Sequence, residues 1–178
     1  LRYDNTLSPV TNDDNGYIKN LLTHKKYYKV NSNVFSVQSR VGNIFSLQND
    51  EIPSSDKFSL GGRWLRGFDS FGAGPRNSRT SYIGGNNLVV TKFDYQRPVF
   101  NDLNNPIDLN LFIDAGSVFD NKVKPTHSDN SIRASFGYAF KFYSPIGPVG
   151  FSWAFPISDE SYDITRMFNF SIGNLNWN

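Results

Sequence analysis

The sequence predicts an antiparallel, all-β fold, and three observations carry that expectation. Apolar and polar residues alternate with period 2 through most of the second half, which is the spacing of a strand with two unlike faces. No helical period is sustained over a comparable length. Aromatic residues make up 16% of the 178 residues, yet they are spread among Asn, Ser and Gly, and the mean hydropathy is negative. Rings diluted in this way suit strands with one apolar face and one polar face.

Nine strands are expected, at about 1–8, 16–24, 27–39, 42–49, 86–98, 107–118, 131–143, 148–157 and 165–176. The first four alternate less cleanly than the rest, and a phase slip near Val34 and Phe35 reads as a bulge. In the fifth, Val89, Phe93 and Tyr95 oppose Lys92, Asp94 and Gln96. In the sixth, Leu109, Leu111, Ile113 and Ala115 oppose Asn110, Phe112, Asp114 and Gly116. The seventh sets Ile132, Ala134, Phe136, Tyr138, Phe140 and Phe142 against Arg133, Ser135, Gly137, Ala139 and Lys141. The eighth sets Val149, Phe151, Trp153 and Phe155 against Gly150, Ser152 and Ala154. In the last, Phe168, Phe170 and Ile172 alternate with Asn169, Ser171 and Gly173.

A soluble sandwich and a membrane barrel both use such strands. In a sandwich the ring-rich faces would fill a core and the charged faces would meet water. Two features favour the barrel. The polar faces are rich in Gly, Ser and Ala, and the connections alternate in length. Tyr143-Ser144-Pro145-Ile146-Gly147-Pro148 is a tight turn, whereas 119–130 and 157–166 are longer and polar, and 50–85 is the longest. Short turns at one end and long loops at the other are the pattern of an outer-membrane barrel. No run approaches the ~18–20 apolar residues of a spanning helix. Bacterial barrels usually close with an even number of strands, so nine strands beginning at residue 1 read as the C-terminal part of a larger barrel. The chain starts at Leu1 with no initiator Met and no leader segment after it, which reads as a mature or truncated fragment.

A formal charge of +2 argues against a strongly basic nucleic-acid binder, and no nucleic-acid partner is expected. The absence of cysteine removes disulfides, thiolate nucleophiles and thiolate metal clusters. Catalysis has little support. His24 and His127 lie far apart in polar connections without ligand-spaced partners, and Asp13-Asp14 and Asp159-Glu160 read as solvated turn charges. No enzyme activity, metal or cofactor is expected.

The 50–85 connection is too long for an ordinary loop, and its Phe58, Trp64, Phe68, Phe71 and Tyr82 argue for an ordered insertion. It lacks a Gly-Lys-Ser/Thr ending and a following helix, so a phosphate cradle is a weak alternative. It contains Gly61-Gly62, then Leu65-Arg66-Gly67-Phe68, then Gly74-Pro75-Arg76 and Gly84-Gly85. Here the sequence resembles the BamA family of outer-membrane β-barrel assembly proteins, whose loop motif is [V/L]-R-G-[F/Y]. Tyr3-Asp4-Asn5 through Gly16-Tyr17, Phe93 to Pro98, Phe112-Ile113-Asp114-Ala115-Gly116-Ser117-Val118-Phe119, Ser144 to Pro148 and Phe168 to Gly173 agree with further segments, in order. At Asp94 the family usually has Glu.

The resemblance implies that this chain is the C-terminal part of one barrel domain of about 16 strands, 1–178, with POTRA domains and the first strands lying outside it. It implies that the loop folds into the lumen and that Arg66 packs against acidic residues of the inner wall. Asp94 and Asp114 are the candidate partners, since both fall on the polar phase of their strands and a guanidinium can bind a carboxylate through two parallel bonds. The open alternative is that Arg66 is a solvated cation and the two aspartates line a wet channel. The resemblance further implies non-enzymatic insertion of unfolded outer-membrane clients, with membrane lipids and accessory lipoproteins as partners. The last strand, with Phe168, Phe170 and Ile172, would form one side of a weak lateral seam, and Trp177 would be the terminal aromatic, although Asn178 follows it. A TamA-type or two-partner-secretion pore would share the loop. A passive porin or surface antigen is the alternative of another class, and it would lack the luminal Arg66 contact.

Overall fold

A computed structural model describes residues 2–8, 16–47, 51–78, 80–100, 106–120, 130–144 and 147–172. Ten strands occur among them, in the order β1 (Arg2–Ser8), β2 (Tyr17–Val30), β3 (Asn33–Ser46), β4 (Gly67–Phe68), β5 (Asn87–Phe100), β6 (Ile107–Phe119), β7 (Arg133–Ser144), β8 (Gly147–Ser158), β9 (Thr165–Arg166) and β10 (Phe168–Ile172). Eight of them form one antiparallel meander, β1-β2-β3-β5-β6-β7-β8-β10, while β4 and β9 pair with each other.

The first half differs from the expected strands. Three were expected between 16 and 49, and the chain forms two of 14 residues each, β2 and β3. The break expected near Lys25 and Lys26 is not a turn. The chain reverses at Asn31-Ser32 instead, where Asn31 adopts φ 56°, a conformation that Asn tolerates better than most residues. Clustered charge mimicked a loop in the sequence, although Lys25 and Lys26 keep unbroken pairing with Gln38 and Val37. The expected bulge at Val34–Phe35 is also absent, since both registers of β3 run unbroken through it. Irregular pairing falls between Pro98 and Phe100, and between Ala134 and Ser135. The nine expected sheet strands are therefore eight. The start of the last expected strand is separated off: Thr165–Arg166 form β9 and Phe168–Ile172 form β10, and the rest of that expected strand, 173–176, falls outside the described residues.

The two faces are sharply different. On the outer face, Phe93, Leu111, Ile113, Phe136 and Tyr138 are exposed, and Trp153 stacks on Tyr138 with ring centroids 5.4 Å apart. The inner face carries Lys92, Asp94, Asn110, Asp114, Ser135, Lys141 and Ser152, all buried. Polar residues are thus enclosed and rings exposed, the reverse of a soluble sandwich and the arrangement of a membrane barrel wall.

What encloses the inner face is the long connection between β3 and β5. Ile52, Phe58, Leu60, Leu65, Phe68 and Ala73 from this segment pack with Ile44, Leu88, Val90 and Val118 of the wall, and together they form the main apolar core. Gly42 on β3 makes room for it: a Cβ there would lie 2.4 Å from the Phe58 ring. Ile44 N–H donates to the Asn86 carbonyl, and Phe58 and Gly85 exchange backbone hydrogen bonds, which ties the two ends of the connection together.

Candidate functional site

The site is built where the loop tripeptide Arg66-Gly67-Phe68 meets β5, β6, β7 and β8. Strand register supplies the acidic side. Lys92 is opposite Asp114 and Asp94 is opposite Phe112, so the two aspartates are diagonal neighbours on one face of adjacent strands. Leu65 and Phe68 anchor the segment, being 0% and 1% exposed. Gly67 holds φ 92°, which a side chain would strain, and a Cβ there would come within 3.3 Å of Ser135 Cβ. Glycine thus permits both the turn and the close approach to β7.

These constraints aim Arg66 at the wall. Its Nε donates to Asp114 Oδ2 at 2.7 Å, its Nη2 donates to Asp114 Oδ1, and its Nη1 donates to Asp94 Oδ1 at 2.7 Å. The Arg66 backbone N–H also donates to Asp114 Oδ2, at 3.0 Å. Both Asp114 oxygens are therefore engaged in a fork, the geometry for which a planar guanidinium is suited. Asn110 Nδ2 donates to Asp94 Oδ1 at 2.9 Å, and Ser135 Oγ donates to the Arg66 carbonyl. The guanidinium carbon lies 3.6 Å from the centroid of the Phe112 ring, which forms an aromatic floor under the cation.

Electrostatics complete the arrangement. Arg66 is 1% exposed and Asp114 0%. Burial alone would lower the Arg66 pKa, but Asp114 and then Asp94 outweigh it and raise the value. Arg66 therefore stays cationic at any pH the protein meets. Lys92, also buried, donates from Nζ to the Arg63 carbonyl at 2.7 Å. Two cations and two carboxylates share the site, which balances formal charge in an enclosed volume. Such groups are costly to bury singly and tolerable when paired and hydrogen-bonded.

Of the residues singled out in the sequence, the fold brings Leu65, Arg66, Gly67, Phe68, Asp94 and Asp114 into one cluster. Phe168, Phe170 and Ile172 lie apart, on β10, with their side chains exposed. Trp177 and His127 fall outside the described residues. His24 is exposed on β2, where the sequence had placed a connection. Sequence reasoning missed Phe112, Asn110 and Ser135 as parts of the site. Phe112 carried a signal, as the lone ring on the otherwise polar phase of its strand.

Two further arginines, to which the sequence assigned no partner, are enclosed as well. Arg133 on β7 pairs with Asp163 at 3.0 Å and donates to the Tyr162 hydroxyl at 2.9 Å. Arg76, fully buried, donates to the carbonyls of Phe71 and Gly72. Both act within or beside the loop layer.

The motif is also joined to the approach to the last strand. Gly67 pairs with Arg166 and Phe68 with Thr165. Asp69 N–H donates to the Ile164 carbonyl, and Ile164 N–H donates to the Gly72 carbonyl, both at 2.9 Å. An exposed ion pair, Arg166–Asp69 at 3.1 Å, lies beside them. Chemically the cluster binds and holds. The carboxylates are occupied by the guanidinium, and no set of three or more metal-ligating side chains occurs among the described residues.

Comparison with known proteins agrees with the fold. The Omp85 superfamily domain matches residues 1–175. The outer membrane protein assembly factor BamA of Nitratidesulfovibrio vulgaris is 27% identical over 93% of this chain and 21% of its own length. The BamA of Neisseria meningitidis serogroup B is 31% identical over 69% of this chain and 19% of its own length. The crystal structure of BamA from Haemophilus ducreyi lacking POTRA domains 1-3 superposes with a TM-score of 0.77 and 27% identity, covering 90% of this chain and 35% of that one. The chain thus spans about a fifth of the length of these curated relatives.

Proposed function

The chain belongs to the Omp85 superfamily, an outer-membrane β-barrel family, and from that premise we propose that it is the C-terminal part of the barrel of a BamA-type assembly factor. In this reading 1–178 is one portion of a single barrel domain, the 50–85 loop is its luminal plug, and further strands and POTRA domains belong to the rest of the protein. The work is non-enzymatic: the barrel receives unfolded outer-membrane proteins and assists their insertion into the lipid, together with accessory lipoproteins.

One observation carries the proposal. The loop motif Leu65-Arg66-Gly67-Phe68 is docked on the inner wall, with Arg66 held between Asp94 and Asp114. In the passive-porin reading Arg66 would instead be a solvated cation without a carboxylate contact. The terminal strand supplies the second half of the mechanism. Among the described residues, Phe168 to Ile172 of β10 pair with β8, and β8 is its one partner among the described strands. A strand edge presents unpaired N–H and C=O groups, and these can template an incoming strand through main-chain hydrogen bonds. The docked loop keeps the wall in shape while that edge opens.

The test is Arg66→Glu in the full-length protein. It replaces the anchor with a third carboxylate facing Asp94 and Asp114, and steady-state levels of outer-membrane proteins are expected to fall. Normal levels, with the variant present in the membrane at wild-type amount, would overturn the reading.

A further inference from the structure

On the outer face, away from the loop, the sheet carries a hollow of about 610 Å³, within the roughly 300–1,000 Å³ of small-molecule sites. Its lining is almost wholly apolar and includes Phe35 of β3, Phe93 and Tyr95 of β5, Leu111 and Ile113 of β6 and Phe136 of β7. The rims are aromatic and the trough between them is aliphatic. Phe35 and Tyr95 pair across β3 and β5 with centroids 4.9 Å apart, and Phe136 pairs with Phe155 at 5.5 Å. Leu111 and Ile113 lie between them on β6. The hollow sits in the middle of the sheet, with β2 on one side and β10 on the other, so strands added at either edge would not cover it.

Cations stand at one end of this trough. On β2, Lys26 is opposite Val37, which also lines the hollow, and Tyr28 is opposite Phe35. Lys26 is exposed, and its Nζ lies 4.8 Å from the Tyr28 ring centroid. Arg97 follows Phe93 and Tyr95 on the same face of β5 and is exposed as well. All three positions lie toward the end where β2 and β3 are joined by the two-residue turn, which in outer-membrane barrels is the periplasmic side. A cation on a lipid-facing strand near that end snorkels to headgroup level, and tyrosines favour the same depth.

From this combination we infer that the hollow is a seat for one anionic phospholipid of the periplasmic leaflet, with an acyl chain in the trough between Phe35 and Phe136 and the phosphate against Lys26 and Arg97. The inference rests on the outer-membrane barrel reading. A void on a lipid-facing wall is filled by hydrocarbon, because unfilled surface forfeits its dispersion contacts. The two cations, Lys26 on β2 and Arg97 on β5, are what single out one lipid, since a juxtamembrane cation attracts anionic headgroups and is indifferent to neutral ones.

The experiment is native mass spectrometry of the full-length protein in detergent, incubated with phosphatidylglycerol or with phosphatidylcholine of the same chains. Retention of one phosphatidylglycerol is expected, favoured about thirtyfold over phosphatidylcholine, in line with two headgroup-level cations. The double variant Lys26→Gln, Arg97→Gln is expected to lose that preference while keeping weak retention of both lipids. Ile113→Trp fills the trough from a side chain that touches none of the inner packing, and it is expected to reduce retention of both lipids. Equal retention of the two lipids by the wild type, or unchanged retention in Ile113→Trp, would overturn the inference. Flotation with vesicles separates the two failures: a protein that does not float with lipid defeats the barrel reading, and one that floats while its variants retain lipid unchanged defeats only the seat.

Discussion

The middle of the sheet and its last strand are held in opposite ways. At β5 and β6, strands of 14 and 13 residues pair along nearly their whole length, and the loop closes their inner face with an enclosed guanidinium, two carboxylates and an aromatic floor. Among the described residues of β10, Phe168, Phe170 and Ile172 are exposed and no charged group is enclosed beside them. Just before β10 begins, the chain leaves the wall and pairs with the loop motif instead, as Thr165 and Arg166 do with Phe68 and Gly67. Rigidity is thus concentrated where the plug is anchored. β10 is held instead by its backbone ladder with β8 and by outer-face ring contacts of Phe168 with Trp153 and of Phe170 with Phe151.

The contrast can be broken most forcefully at Arg66. Arg66→Ala leaves Asp94 and Asp114 enclosed without their cation, and removing one member of a buried ion pair typically costs about 3–5 kcal/mol. The expected outcome is a lowered denaturation midpoint together with new protease cleavage between residues 51 and 85. A variant with wild-type stability and a protected loop would mean that the apolar core alone docks the plug.

A smaller effect is expected at the floor of the same site. Phe112→Leu keeps most of the apolar volume but removes the ring face beneath the guanidinium, a contact worth up to about 2 kcal/mol when desolvated. The midpoint should fall by less than in Arg66→Ala, and the two losses should not add, because both act on one contact. A double-mutant cycle measures this directly.

The smallest effect belongs to the boundary between the two regions. Asp69→Asn removes the exposed pair with Arg166, and exposed pairs contribute about 0–1 kcal/mol. Global stability should hardly change, while amide exchange at Phe168 to Ile172 should quicken. Unchanged exchange there would mean that backbone pairing of β4 with β9 is enough to hold the approach to the last strand.

Much of this organisation can be read from residue order. Alternation along β5 to β8 is unambiguous because each strand has one face toward hydrocarbon and one toward an enclosed polar interior, so every second residue reports its side. The same phase put Asp94 and Asp114 on the polar side, and resemblance to the BamA family supplied Arg66 as the cation to meet them. Reading failed in β2 and β3, where His24-Lys25-Lys26 resembled a connection. Three consecutive polar side chains interrupt the alternation there while the backbone keeps its pairing with β3, so the periodic signal fades. It failed again at Phe112, whose ring sits on the polar phase because it packs beneath a loop residue 46 positions earlier in the chain.

What the sequence determined by itself is therefore the antiparallel class, the direction in which rings and charges face, and the membership of one polar face by both aspartates. The class and the shared polar face follow from a period of 2, and the direction follows from the small residues of the polar faces and the alternation of short and long connections. Tertiary structure alone decided that β2 and β3 are two long strands, that the main apolar core lies between loop and wall, and that Arg133, Asp163 and Arg76 are enclosed. It also decided that the motif pairs with the approach to β10. Each of these depends on which distant segments share a volume, and a buried charge is recognisable only once the partner that neutralises it has been brought alongside.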